Sequence, residues 1–307
     1  MWGLNISISK RKVRDMMKTK KNVLKENLTG YMFITPQLLL FLMFIVYPIF
    51  EGMRLSLYKI DYQSEIFIGF ENYKTLFKDP VFVKATINTV IYVIFIVALT
   101  VIFALFVAAS VYDKDAKYVS FIRGSYYIPV MVSMVVMSMV WNFLLNPANG
   151  LISYVARNMG YSTINFLGDK NLVKPVIIFI TFTTNVGQAI ILYIAAMIGI
   201  PNDIFEAAEV DGASRLQTTF KILIPLVRPT TIYIIITNII AVLKIFVVIQ
   251  LLTGGGPNNA STSLMYYLYN NAFKYNRLGV ASAVGVIMFM ITLALSIPQL
   301  RAMFREE

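Results

Sequence analysis

The chain contains neither cysteine nor histidine, and only 14% of its residues are charged. Without cysteine there is no disulfide, no thiolate metal site and no cysteine nucleophile, and the redox compartment leaves no trace. Without histidine no side chain titrates near neutrality at its ordinary pKa, and the commonest transition-metal ligand is missing. No metal site and no catalytic residue is therefore expected. The glycine-rich stretch Thr253-Gly254-Gly255-Gly256-Pro257 lacks the Lys-Ser/Thr of a phosphate-binding loop, and no other such loop occurs in the sequence. What fills the space left by charge is apolar: 58% of the 307 residues are hydrophobic. Ordinary globular chains hold about 45–50% apolar and about 25% charged residues. A soluble protein of this length would leave large apolar patches in water, so the chain is read as a membrane protein.

A charge at mid-bilayer depth costs at least about 2.5–3.5 kcal/mol, so uncharged runs mark the crossings. Six occur, at residues 27–50, 86–112, 124–156, 175–202, 229–271 and 278–300, the fifth interrupted by Lys244 and polar in its last third. The third runs on into Asn146-Pro147-Ala148-Asn149-Gly150, and its helix is expected to end near Leu145. Trimmed to their apolar parts, all hold roughly twenty residues or more, enough for roughly 30 Å of hydrocarbon. They are apolar on every side, as spans are and surface helices are not. The expected fold is all-α with six transmembrane helices. The segments at 51–85 and 146–174 leave room only for short interfacial elements.

Lys10, Arg11, Lys12, Arg14, Lys18, Lys20, Lys21 and Lys25 stand against Asp15 and Glu26 before the first run. This places the N-terminus in the cytoplasm, and six crossings return the C-terminus, with Arg301 and Arg305, to the same side. The first run is full-length with no small-residue cleavage pattern after it, and is read as retained. The expected organisation is a basic cytoplasmic segment at 1–30 and a membrane domain at 31–304. The net charge of +11 is explained by orientation and needs no nucleic-acid partner.

Between the fourth and fifth runs, residues 201–229 hold Asp203, Glu206, Glu209 and Asp211, followed by Arg215, Lys221 and Arg228. Asn202 or Asp203 is expected to cap a short helix, with Glu206 completing a capping box. Gly212 supplies a bend, after which Ser214 caps a second short helix ending before Pro225. Glu206-Ala207-Ala208, Gly212 and Ile222-Leu223-Ile224-Pro225 stand at the spacing of the EAA signature, with Ile224 where leucine is usual. In these residues the chain resembles the permeases of binding-protein-dependent ABC importers. Asp211-Gly212-Ala213-Ser214, Leu252-Thr253-Gly254-Gly255-Gly256-Pro257 and Phe70-Glu71-Asn72-Tyr73 are similar to the carbohydrate branch.

The resemblance, which runs from about residue 31 to 301, implies a type I importer permease in the bacterial cytoplasmic membrane, importing a sugar. It implies that loop 201–228 docks on a separate ATPase through Glu206, Ala207, Ala208, Asp211, Gly212, Ile222 and Pro225. ATP and magnesium would then sit on that partner, with no cofactor on this chain. The further partners implied are a second homologous permease, a second ATPase copy and an extracytoplasmic binding protein. The charges alone favour a solvated loop held by its own ion pairs, and it is the full spacing of the signature that turns the reading to docking.

For the solute path, Thr181, Thr184, Asn185 and Gln188 share one helical face by spacing. Their uncharged hydroxyls and amides suit a sugar, although interhelical hydrogen bonding is the plainer use of such residues. Asn238, Lys244 and Gln250 follow in the fifth run, with Lys244 placed about 22 Å along one helix. Lys244 is read equally as snorkelling, pairing with another subunit or facing solute. Tyr126, Tyr127 and Trp141 fit either sugar stacking or interface anchoring. A six-span solute channel is the rival reading suggested by Asn146-Pro147-Ala148, but no second triplet exists. Intramembrane acids for ion-coupled transport are absent too, and within the importer class a non-sugar solute stays open.

Overall fold

The computed structural model describes residues 30–61 and 64–303, so the basic cluster at 10–25 lies outside the described residues. The chain divides into two units, residues 1–54 and 55–307. In the first, a single helix, α1 (Gly30–Leu55, ending just past the unit boundary), is long and apolar enough to cross a membrane. It passes through a π turn at Leu42–Val46, and Arg54 pairs with Glu51 at 2.6 Å near its end.

The second unit opens with an antiparallel hairpin, β1 (Tyr58–Asp61) and β2 (Ser64–Phe67), with Tyr58 opposite Phe67. This is the one departure from an all-helical fold among the described residues. Helix α2 (Glu71–Lys78) follows, then α3 (Pro80–Val111). Asp79 caps α3 by accepting from the Val81 N–H at 2.8 Å, and Pro80 takes a first-turn position where its missing N–H costs nothing. With no glycine and no further proline, α3 runs 32 residues, about 48 Å.

The third uncharged run is not one straight helix. It forms α4 (Ala116–Met131) and α5 (Met134–Leu144), bent by 91°. Pro129 lies in the last turn of α4, the Val132 N–H closes back on the Pro129 carbonyl, and Ser133 caps α5 by accepting from Val136. The expected stop near Leu145 holds. Asn146 then makes the turn into α6 (Leu151–Asn158), its Oδ1 accepting from the N–H groups of Ala148 and Asn149.

Helix α7 (Val173–Ile198) is the most buried of the long helices. It lies so close to α4 that a Cβ on Gly187 would stand 2.0 Å from the Tyr126 carbonyl oxygen. Small residues at such a crossing let two backbones approach, which is how membrane helices gain dispersion contact. The linking segment forms α8 (Asn202–Val210) and α9 (Arg215–Leu226), and α10 (Arg228–Leu243) leaves α9 at 65°. Beyond α10 come α11 (Val247–Leu252), α12 (Leu264–Tyr269) and α13 (Leu278–Met303).

One apolar cluster joins Ala104, Ala108, Ile190, Tyr193, Ile194, Leu223 and Val227, near the α8–α9 end. A second joins Tyr92, Ile96, Ile177, Ile180, Val242 and Ile249 towards the other. There the Thr253–Pro257 stretch and its continuation are strapped to α3. Asn88 donates to the Thr262 carbonyl at 3.0 Å, Tyr92 donates to the Ser261 carbonyl, and Thr89 accepts from the Leu264 N–H. The described residues contain four helices of membrane-crossing length, or six if each bent pair is one span.

Candidate functional site

Two features stand out: the α8–α9 segment and a polar cleft lined by α4, α5, α7 and α10. Helix α8 does not start as expected. Pro201 occupies its cap position with no side-chain cap, which leaves Asn202 and Asp203 inside the first turn. There Asp203 still complements the positive end of the helix. The capping box forms one helix later: Ser214 Oγ accepts from the Gln217 N–H, and Gln217 Oε1 accepts from the Ser214 N–H at 2.8 Å. Between them α8 closes in a Schellman turn. Ala213 N–H donates to the Ala208 carbonyl at 2.9 Å and Gly212 N–H to Glu209 at 3.0 Å, with Gly212 at φ +72°. Any residue with a Cβ would meet a penalty of about 1–2 kcal/mol in that conformation, which gives Gly212 a physical reason.

The second expected stop also moves. Helix α9 continues through Pro225 to Leu226, because a π turn at Thr219–Leu223 precedes it. The wider turn puts Pro225 in the first turn of a new α-helical register, where a proline needs no N–H.

This segment is anchored on its inner side. Phe205 lies 5.3 Å from the Tyr112 ring, Leu223 and Val227 are fully buried, and Arg215 donates to Asp113 Oδ1 at 3.0 Å. Ala208, expected to meet a partner, is only 5% exposed and packs inward. The outer face carries Asp203, Glu206, Ala207 and Val210, at i, i+3, i+4 and i+7, all exposed, Val210 to 88%. Asp211, Gly212 and Pro225 are exposed and Ile222 is half-buried. Among the described residues Glu206 forms no ion pair, and the pair made by Arg215 leaves the segment for the α3–α4 turn. Among the described residues Asp203, Glu206, Glu209 and Asp211 form no ion pair with Arg215 or Lys221.

The cleft gathers Thr184, Asn185 and Gln188 from α7 with Thr237 and Asn238 from α10, around about 410 Å³. Pro129, Val132 and Ser133 close it from the bend between α4 and α5. A contiguous cavity of about 210 Å³, sharing Met134, Asn185 and Ala241, is lined by Thr181 and Lys244. All six residues expected along the path thus border one or the other of two adjoining cavities. Gln250, on α11, borders neither cavity, and Tyr126 and Trp141 pack instead on Phe103 and Phe179.

Lys244 corrects the reading of an unbroken fifth helix: α10 ends at Leu243, Lys244 is its cap, and α11 begins only at Val247. The Ile245 carbonyl released by this break accepts from Ser263 Oγ at 2.8 Å. Asn238 donates to the Ile234 carbonyl and Thr184 to the Thr181 carbonyl, both within their own helices. Sequence reasoning missed Ser133, Met134 and Thr237. Thr237 sits one position from Asn238, and Pro129 was the available sign of the bend that brings Ser133 and Met134 inward.

Residues 100–304 match the family model of the binding-protein-dependent transport system inner membrane component. The chain is 35% identical over 276 residues to the probable ABC transporter permease protein YurN of Bacillus subtilis (strain 168), covering 88% of this chain and 94% of that one. It is 31% identical over 280 residues to the diacetylchitobiose uptake system permease protein NgcF of Streptomyces coelicolor, covering 85% and 78%. The fold matches a chain of a bacterial alginate ABC transporter crystallised with a periplasmic protein carrying alginate pentasaccharide, at TM-score 0.81 and 23% identity over 91% and 94% of the two chains. On the extent of the family match and of the likeness to YurN, this multi-pass membrane chain belongs to the inner membrane components of binding-protein-dependent transport systems.

Proposed function

We propose that the chain is the translocation subunit of an ATP-driven importer of a sugar or oligosaccharide in the bacterial cytoplasmic membrane. Each bent pair counts as one crossing, giving six, with both termini cytoplasmic and 31–304 as the membrane domain behind the basic 1–30 segment. It works beside a second homologous permease, two ATPase subunits that hold ATP and magnesium, and an extracytoplasmic binding protein.

The observation that carries this reading is the outer face of α8. Exposed Glu206 lacks an ion pair among the described residues, and beside it Val210 stands almost fully in the open, on a segment held rigidly to the core by Phe205, Leu223 and Arg215. A loop stabilised by its own charge pairs would place those charges against each other, whereas among the described residues Glu206 has no ion pair and Arg215 pairs with Asp113 outside the loop. An ATPase groove with a basic residue would pair Glu206 and cover Ala207 and Val210, while Gly212 sets the angle. Closure of the two ATPases then moves both permeases through their docked segments, and the cleft alternates between the two sides of the membrane. The sugar assignment rests on neutral hydroxyls and amides in the cleft and on relatives such as the diacetylchitobiose permease. A non-sugar solute is the alternative within the same machine. The test is uptake into proteoliposomes holding this chain and its partner subunits. Uptake that needs ATP, ATPase and binding protein together is expected, and flux that persists without the ATPase contradicts the proposal.

A further inference from the structure

The break in the fifth helix is costly unless it serves a purpose. Non-helical backbone at membrane depth is tolerated only where it is buried in protein or lines a cavity, and interrupted helices with their freed ends commonly frame a solute site. Here the interruption falls at Lys244, and the residues from Lys244 to Val248 line the smaller cavity. Lys244 is also the one charge inside the six uncharged runs; none of them contains Asp or Glu. Among the described residues it forms no ion pair.

A second observation comes from α7. Thr181 is 3% exposed, and its hydroxyl has no hydrogen-bond partner among the described residues. A buried hydroxyl left without a partner is destabilising, and its neighbour Thr184 avoids that cost by donating to a backbone carbonyl. Thr181 borders the same cavity as Lys244, and Asn185 joins them there and lines the larger cleft as well. Lys244, Asn185 and Thr181, the last with a buried and unpartnered hydroxyl, therefore line one small space with no carboxylate in it.

We infer that this cavity receives a negatively charged group of the transported saccharide, a carboxylate or a phosphate monoester, held by Lys244 with Thr181 and Asn185 donating to it. The neutral side chains of the larger cavity, Gln188, Thr237 and Asn238, take the hydroxyls of the adjoining ring. The inference rests on the importer reading and narrows its substrate class. A charged donor gains more from a charged acceptor than from a neutral one, whereas a neutral sugar would leave the ammonium without a counter-ion.

The test uses the complete importer in proteoliposomes and matched radiolabelled probes: digalacturonate against galactobiose, and glucose 6-phosphate against glucose. The expected result is ATP-dependent uptake of at least one charged probe at ten times the rate of its neutral mate or more. Lys244→Gln should lower that uptake at least tenfold, Lys244→Arg should keep at least a third of it, and Thr181→Val, which keeps the shape of the side chain, should raise the half-saturating concentration several-fold. Uptake of neutral probes alone, or charged uptake unchanged by Lys244→Gln and Thr181→Val, overturns the inference and leaves the importer standing. Uptake of neither kind overturns both.

Discussion

Arg215, at the start of α9, reaches Asp113 at the end of α3 with 3.0 Å between Nη2 and Oδ1, and also donates to the Ser110 carbonyl. The two residues are 102 positions apart, yet they hold the proposed docking segment against the long helix that lines the core. Both side chains are substantially exposed, so the pair adds only about 0–1 kcal/mol to stability. Its effect is on placement. Arg215→Ala should leave the thermal midpoint within about 2 °C, but lower ATP-driven uptake several-fold in proteoliposomes. Exchange of the two charges, Arg215→Asp with Asp113→Arg, should recover part of the loss.

Gly212 should tolerate substitution in order of left-handed propensity. Asparagine visits that conformation more readily than alanine, and valine hardly at all. Gly212→Asn should retain most ATPase binding, Gly212→Ala less, and Gly212→Val least, as measured by the ATPase subunit co-purifying with the solubilised permease. Equal recovery from all three would mean that the Schellman turn does not set the docking angle.

Two other glycines act through packing. A Cβ on Gly187 would lie 2.0 Å from the Tyr126 carbonyl oxygen, and one on Gly279 2.0 Å from the Tyr58 carbonyl oxygen. Neither neighbour is a side-chain tip that can swing away, so the packed backbones, helix on helix at Gly187 and helix on strand β1 at Gly279, must separate. Gly187→Ala and Gly279→Ala should each cost about 1–3 kcal/mol, read as a lower unfolding temperature in detergent. Gly124→Ala is the control: nothing lies near its added methyl, and little change is expected.

In the larger cavity, Asn185→Leu and Gln188→Leu remove hydrogen-bonding groups from residues that line the open space. Each should raise the half-saturating substrate concentration for uptake, by about tenfold for one lost good hydrogen bond to a polar ligand. Thr184→Val should do less, because that hydroxyl is already engaged by its own helix. Substrate-dependent uptake curves at saturating binding protein check all three.

How much of this was legible in the sequence depends on what each signal measures. The uncharged runs were found because a charge in hydrocarbon is expensive, and that cost is read directly from residue type. The same criterion says nothing about backbone, so it treated 124–156 and 229–271 as simple crossings. The bends at Val132–Ser133 and at Lys244 came from the local effects of Pro129 and from backbone groups satisfied by distant partners such as Ser263. The bend at Gly212 and the cap at Ser214 were readable because each depends on one residue and its immediate neighbours. The cap expected at Asn202 or Asp203 was not formed, since Pro201 already occupies that position. The inward face of α8 was hidden for a different reason: Ala208 is buried and Phe205 packs on the core, relations no local spacing contains. The convergence of Thr181 and Lys244 likewise needed the fold, since 63 residues separate them.

The most direct measurement is the charge reversal Glu206→Arg, combined with Val210→Asp, on the exposed face of α8, tested for ATPase retained on permease-containing proteoliposomes and for solute accumulated. Both positions are open, so the variant should fold and insert as the parent does. The account predicts loss of bound ATPase and at least a tenfold fall in uptake. Normal accumulation with the ATPase still in place would contradict it.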